Sequence, residues 1–563
     1  MTRSMQRKCL WPLVLVFGHA TAQEVAAPAF VAGIDAIFAD LDKPDSPGCA
    51  LGVIEDGRLS YARGYGMANL EHAVANDSTI VFDIGSTSKQ FTATAILLLA
   101  QDGKLSLDDD VRRYVPELPQ YQRPITIRHL LHHTSGLRDY VSLFWLAGVS
   151  FERTTTEQDA LDYIVRQKAL NFAPGDEFVY SNSGYVLLSI IVQRVSGKSF
   201  PAFAQERIFE PLGMTSTIVL NDHNRIVPRR AWGYSRRSSG GFMIDMSNFE
   251  QTGDGGVLST IEDLAKWDRN FYDPKVGGEA WLRSMHETGK LNNGQDLIYA
   301  AGLEIDRYKG LRRVKHGGVW AGYRAELLRF PDQRLSVVCL CNAGVASTPS
   351  TFAMKVATLY LEKELAAFDA QAPRTAARTP SPRRVSDAEA KAWAGTYRDS
   401  VGGGLRRITV TNGKLRLDSF STQSRELTAL AKNRFAGQEG LFVEFMTHEA
   451  GVSLHITRMN ESPRIYEKVA AYEPASSELA AFAGRYFSEE LDAAYELGVR
   501  DRQLFVTFPD RVEDLLVPTF KDSFSTPDGA QLEFHRDAVN NVPGFAIQSG
   551  RIRGVEFTRR GGS

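Results

Sequence analysis

The chain has 563 residues, 43% of them hydrophobic and 23% charged, a balance typical of soluble proteins with packed cores and a length that calls for more than one domain. Lys and Arg number 65 against 67 Asp and Glu, giving a formal charge of -2. No global field therefore points to nucleic acid or an anionic membrane as a partner.

The first element reads as an address. Arg3, Arg7 and Lys8 precede an apolar run from Cys9 to Phe17, and Ala20-Thr21-Ala22 supplies the small residues of a cleavage site. This predicts a bacterial-type signal peptide over residues 1–22, cleaved after Ala22, and a periplasmic or secreted protein with no integral membrane anchor left. The apolar run is far shorter than the about 20 residues of a spanning helix. Export leaves Cys49, Cys339 and Cys341, an odd count that permits at most one internal disulfide. Cys339 and Cys341 flank Leu340 in a strand-like run and share a face, so at most one of them is expected to reach Cys49. Three buried apolar thiols is the favoured alternative.

Residues 28–368 mix helical patterns, such as Phe91 to Leu99 and Tyr185 to Val195, with strand-like runs such as Leu335 to Leu340. Within this half, Ser86-Thr87-Ser88-Lys89 opens an apolar helical pattern, placing Ser86 at a helix N-terminus and Lys89 one turn on, on the same face. The positive end of the helix favours a developing oxyanion, and a desolvated Lys89 can take the hydroxyl proton. Alone, Ser-x-x-Lys is also what an exposed helix start looks like. The cluster His129, His132 and His133 is read as packing, since neither a carboxylate nor a Cys stands at ligand spacing.

Tyr180-Ser181-Asn182 follows the turn Ala173-Pro174-Gly175-Asp176, and in extended chain Tyr180 and Asn182 face one way. A phenol beside a Lys can accept and return a proton, and an Asn amide can bind a substrate carbonyl; a packed Tyr with an Asn capping the next helix is the plain alternative. His316-Gly317-Gly318 lies in a strand-like run from Val314 to Trp320. Two glycines weaken a strand unless something approaches its backbone closely, and a substrate along that edge would do so. The N–H of Val319 would then join the N–H of Ser86 in an oxyanion hole; a glycine bulge with a surface His remains the alternative. No Gly-x-Ser-x-Gly elbow supports an α/β-hydrolase.

Residues 371–388 are rich in Pro, Arg, Ala and Ser without apolar periodicity, and a linker is assigned over 369–388. Two all-β, barrel-like modules are expected over 389–471 and 475–563, because short alternating runs are punctuated by Gly, Asn, Asp and Pro. They repeat one another. Trp393-Ala394-Gly395-Thr396-Tyr397 recurs as Phe482-Ala483-Gly484-Arg485-Tyr486, and Leu415, Leu417, Phe435, Glu444 and Phe445 meet Leu504, Val506, Phe524, Glu533 and Phe534 at the same offset, the mark of a tandem duplication.

Ser-x-x-Lys, Tyr-x-Asn and His-Gly-Gly, in this order, resemble the serine β-lactamase and penicillin-binding protein family, which also includes esterases and D-aminopeptidases. The likeness extends through Arg128 to Leu137 and Gly255 to Thr260 and covers roughly residues 30 to 365. It implies an α/β (α+β) catalytic domain with a five-stranded antiparallel sheet beside helices, and the two barrels follow it. It also implies that Ser86 is acylated, that Lys89 and Tyr180 manage its proton, that Asn182 orients substrate and that His316 stands at the third motif, with Gly317, Gly318 and Val319 beside the substrate. No metal or other cofactor is called for. Many relatives carry Lys where His316 stands, and that charge helps to hold a substrate carboxylate; a His there is mostly neutral at pH 7. His-x-Gly and the two-barrel tail are similar to the D-aminopeptidase branch, in which a loop from one barrel reaches over the active site. The reading is hydrolysis of a small amide or peptide, with an esterase, a β-lactamase or D,D-peptidase, and an acylatable penicillin-binding sensor as alternatives. The partner is a small-molecule or peptide substrate; oligomeric state is open.

Overall fold

The computed structural model describes residues 28–344, 349–371, 385–418, 424–437, 441–449, 451–457, 463–509 and 513–561. The segment read as a signal peptide, residues 1–22, lies outside the described residues, as does most of the linker.

One antiparallel sheet organises the first half: β1 (Cys49–Glu55), β2 (Arg58–Tyr65), β3 (Glu304–Tyr308), β4 (Leu311–Trp320), β5 (Tyr323–Phe330) and β6 (Leu335–Cys341), in the spatial order β3-β4-β5-β6-β1-β2. The sheet has six strands where five were expected. Lys309 and Gly310, both at positive φ, form a tight turn that folds Glu304–Tyr308 back onto β4 as an added edge. β1 and β6 are buried almost throughout, as central strands covered on both faces are. One face packs on α1 (Pro28–Phe38) and α5 (Pro349–Tyr360) through Phe38, Leu51, Val337, Phe352 and Val356.

The other face meets the helical region, in which α2 (Lys89–Gln101), α3 (Tyr140–Leu146) and α4 (Asn182–Ser196) surround the largest apolar core. Both apolar patterns read as helices lie inside α2 and α4. α4 ends in Gly197 at φ 72, a left-handed position that a side chain would strain.

Cys49 and Cys341 are directly paired residues of β1 and β6 and form a disulfide, while Cys339 is buried and free. This corrects the favoured reading of three thiols. Sequence spacing could not reveal that β1, nearly three hundred residues earlier, would lie against β6 in this register.

The tail forms two nine-stranded antiparallel sheets with the same strand order, each nearly closed into a barrel. In the first, Gly395–Asp399 pairs with both Leu405–Thr411 and Arg464–Lys468; in the second, Gly484–Ser488 pairs with both Ala493–Arg500 and Ile552–Arg560. The repeated residues Leu415, Phe435 and Phe445, and their counterparts Leu504, Phe524 and Phe534, lie inside the two cores.

The second barrel is clamped to the first domain. Leu143 and Leu146 of α3 belong to its apolar core, and Tyr495 donates a hydrogen bond to the Leu146 carbonyl at 2.7 Å. Buried Arg138 meets Glu490 at 2.9 Å and donates to the carbonyls of Arg553 (2.9 Å) and Gly554 (3.0 Å).

Candidate active site

Gly85 to Ser88 form a short 3-10 turn that runs into α2, so Ser86 sits at the head of that helix with Lys89 on its first turn. Lys89 is fully buried. Its Nζ lies 3.2 Å from Ser86 Oγ and donates to Asn182 Oδ1 at 2.8 Å and to the Asp254 carbonyl at 2.6 Å. It also stands 4.9 Å from the centre of the Tyr180 ring. Burial pushes its pKa down to about 7; the Asp254 carboxylate opposes this, the Arg551 guanidinium adds to it, and Asp139 opposes it weakly. A group held near 7 is part neutral at neutral pH, as a proton acceptor must be.

Tyr180 is extended chain just before α4. Its hydroxyl is buried without a hydrogen-bond partner of good geometry among the described residues. Burial drives its pKa upward, with the nearby Ser86 hydroxyl and Arg551 pulling the other way. At neutral pH the phenol keeps its proton and is a donor. Ser181 precedes the helix as its cap residue, and Asn182 opens α4, its own N–H given to Asp139 at 2.7 Å and its side chain left to Lys89.

The third element closes the cleft from the sheet. β3 stops opposite Lys315, so residues 316–320 of β4 present an edge unpaired by any strand to the Ser86 turn. Thr87 donates to the His316 carbonyl at 3.2 Å. The approach is close: a Cβ on Gly318 would sit 1.9 Å from the Ile84 carbonyl oxygen, and one on Gly85 only 2.8 Å from Val319 N. The glycines there are a steric requirement, and they bring the Val319 amide beside the Ser86 turn.

His316 is 3% exposed. Its Nδ1 is 2.7 Å from the Gly317 carbonyl, which can only accept, so Nδ1 carries the proton and Nε2 accepts from Tyr299 Oη at 3.0 Å. Burial first, and Lys89 among its neighbours, push its pKa down to about 4. The side chain is neutral at pH 7.

Of the histidine cluster, His129 closes a helix capping box with Thr126, and His133 packs its ring 4.1 Å from Tyr180 while its Nδ1 accepts the Ser181 N–H at 3.2 Å. His133 thus braces the Tyr180 ring.

Four contributors escaped sequence reasoning. Asp254 stands just before a Gly-Gly-Val-Leu-Ser-Thr segment recognised as a family connector, and supplies a carbonyl to Lys89 and a carboxylate that accepts from Tyr140 Oη at 3.1 Å. Burial raises that carboxyl to about 6. Asp139 and Tyr299 carry no local signal. Nor does Arg551, in the turn between the last two strands of the second barrel, whose guanidinium lies 4.5 Å from the centre of the Tyr180 ring and 3.7 Å from Asp139.

These groups line a cleft of about 1420 Å³ that also touches Asp399 and Arg464 of the first barrel. Among its described lining residues carboxylates outnumber cationic side chains ten to five.

The description "Beta-lactamase" is matched by residues 34–355 of the chain. "Penicillin-binding protein 4*" of Bacillus subtilis (strain 168) is 34% identical over 305 residues, 51% of this chain and 66% of that protein, just under two thirds of its length. A D-aminopeptidase of Gluconobacter oxydans (strain 621H) is 28% identical over 450 residues, 80% of this chain and 81% of that protein. Among solved structures, the octameric penicillin-binding protein homologue from Pyrococcus abyssi is similar with a TM-score of 0.54 at 25% identity, covering 78% of this chain and 98% of that one.

Proposed function

The chain belongs to the Beta-lactamase family and is a serine hydrolase, and on that premise we propose that it is an exported enzyme that hydrolyses amide bonds of small substrates with a free, D-configured N-terminal residue, through an acyl-enzyme on Ser86. The observation that carries the reading is the Lys89 ammonium site: one buried amine in reach of Ser86 Oγ, with Asn182 and the Asp254 carbonyl fixing its direction.

In acylation, neutral Lys89 takes the Ser86 proton as Oγ attacks the substrate carbonyl. The Val319 and Ser86 amides are the donors for the oxyanion, and Asn182 orients the substrate. Tyr180, protonated at rest, gives its proton to the leaving amine and recovers one from Lys89. Water then repeats the sequence in reverse to release the acid and restore Ser86.

Two observations favour an amine over a carboxylate on the substrate. His316 is neutral where a lysine would hold a carboxylate, and the cleft lining is dominated by carboxylates. The likeness to a D-aminopeptidase across most of both chains agrees with this choice. Export is supported by the charged-then-apolar leader and by the Cys49–Cys341 disulfide, which fits an oxidising compartment.

The test compares D-alanine and L-alanine p-nitroanilides, a p-nitrophenyl ester and a chromogenic cephalosporin, with wild type and Ser86→Ala. Cleavage of the D-anilide well above the L form, lost in the variant, is the expected result. Turnover of the ester alone replaces the reading with an esterase, and activity unchanged in Ser86→Ala overturns the site.

A further inference from the structure

Adjoining the cleft at Tyr180, Arg464 and Arg551 lies a second cavity of about 750 Å³ where the first barrel, the second barrel and the first domain meet. Its first-barrel wall contains core residues Leu417, Leu441, Ile456 and Tyr466, so the cavity is the open mouth of that barrel. Arg406, Arg425 and Arg464 ring the mouth.

The tandem duplication shows that the barrel fold does not need these arginines. Arg406 lies opposite Tyr397, as Tyr495 lies opposite Tyr486 in the second copy. Arg425 lies opposite Leu417, as Asp514 lies opposite Val506. Arg464 lies opposite Ile456, as Val555 lies opposite Ile547. In each pair the partner is a core residue, so all three positions face the barrel interior. The second copy fills the place of Arg406 with an aromatic plug: Tyr495 is fully buried and packs on Phe557 at 4.3 Å and Phe508 at 4.7 Å. The first copy also has Leu454 where the second has Phe545, each opposite the aromatic of the last strand. One barrel is plugged and the other is open and cationic.

The mouth, which also carries Asp399 and Asp528, is neutralised only in part. Arg464 shares Asp399 at 3.7 Å, and Arg553 across the cavity is held by Glu177 through two bonds of 3.0 Å. Arg406 stacks over Tyr466 at 5.3 Å, and among the described residues no carboxylate pairs with Arg406 or Arg425. Arg406 and Arg425 are partly exposed at this mouth, where their guanidinium groups can meet a carboxylate in fork geometry.

We propose that this mouth is a binding site for an organic anion with an apolar tail, of the acyl-carboxylate type: the tail enters the barrel against Leu417, Leu441 and Ile456, and the carboxylate is held by Arg406 and Arg425. The volume lies within the roughly 300–1,000 Å³ of small-molecule sites. The proposal does not depend on which bond the catalytic cleft hydrolyses.

The test is calorimetric titration of the full chain, in the Ser86→Ala background, with decanoate and with 1-decanol, which has the same tail and no charge. One decanoate per chain is expected, with decanol at least tenfold weaker. Arg406→Tyr and Arg425→Asp, which install the residues of the second copy, should each weaken decanoate at least tenfold while hydrolysis in the Ser86 enzyme stays at the wild-type rate. Arg425→Asp keeps the test open should Arg406→Tyr fail to fold. Absence of binding, equal binding of the alcohol, or decanoate competing with substrate while both variants bind it as wild type does would each overturn the proposal.

Discussion

Arg551, carried by the final hairpin of the second barrel, lies with its guanidinium 4.5 Å from the centre of the Tyr180 ring, so a positive charge from the tail stands in the catalytic cleft. That charge depresses the Lys89 pKa, against the pull of Asp254 and Asp139. Arg551→Gln should therefore raise the Lys89 value and move the acid limb of kcat/KM toward higher pH, while Arg551→Lys leaves it in place. An unmoved limb in Arg551→Gln would show that the tail does not tune the base.

Lys89 itself sets the position of that limb. With a value near 7, the neutral amine is depleted below neutrality, and kcat/KM should fall about tenfold per pH unit there. Lys89→Met should lose roughly 10²–10⁴-fold in kcat, the usual worth of a general base. A flat profile from pH 5 to 8 would assign the proton to another group.

Tyr180→Phe separates chemistry from folding. Among the described residues the buried hydroxyl has no hydrogen-bond partner of good geometry, so the variant should melt no lower than wild type. Its activity should nonetheless drop at least about 10²-fold, because the leaving amine loses its donor. Loss of both stability and activity would make Tyr180 a packing residue.

Gly318→Ala should be inactive. The new methyl would meet the Ile84 carbonyl at 1.9 Å, backbone against backbone, so β4 must retreat from the Ser86 turn. Activity within twofold of wild type would show that this edge is not held where substrate binds.

Arg138→Met tests the clamp between the barrel and the catalytic domain. Burial outweighs attraction for both partners: the Glu490 carboxyl is pushed up and the Arg138 guanidinium down. Such a pair adds little net stability, yet breaking it strands a buried carboxylate at a cost of about 3–5 kcal/mol. Chemical denaturation should show that loss at pH 7 and a smaller one at pH 4, where Glu490 can protonate.

Much of the candidate site could be singled out in the sequence because its signals are local. Ser86 and Lys89 share one helical turn, Tyr180 and Asn182 straddle one helix start, and Gly317 and Gly318 mark a strand that another backbone must approach. Each is a spacing of one to three residues that secondary structure converts directly into geometry. The duplication was legible for the same reason, since a repeated fold repeats its core positions.

The tertiary structure alone decided what depends on contact between distant segments. The Asp254 carbonyl that aims Lys89, the Tyr299 hydroxyl that fixes the His316 tautomer, the pairing of Cys49 with Cys341 and the entry of Arg551 are all of this kind. So is the meaning of Arg406, an ordinary residue of an alternating strand until the sheet register sets it opposite Tyr397 and inside a barrel. The sequence by itself determined which residue types were available at each turn. Which of them meet across a cleft is set by sheet order and domain docking, which are sums of many weak apolar contacts and leave no short pattern in the chain.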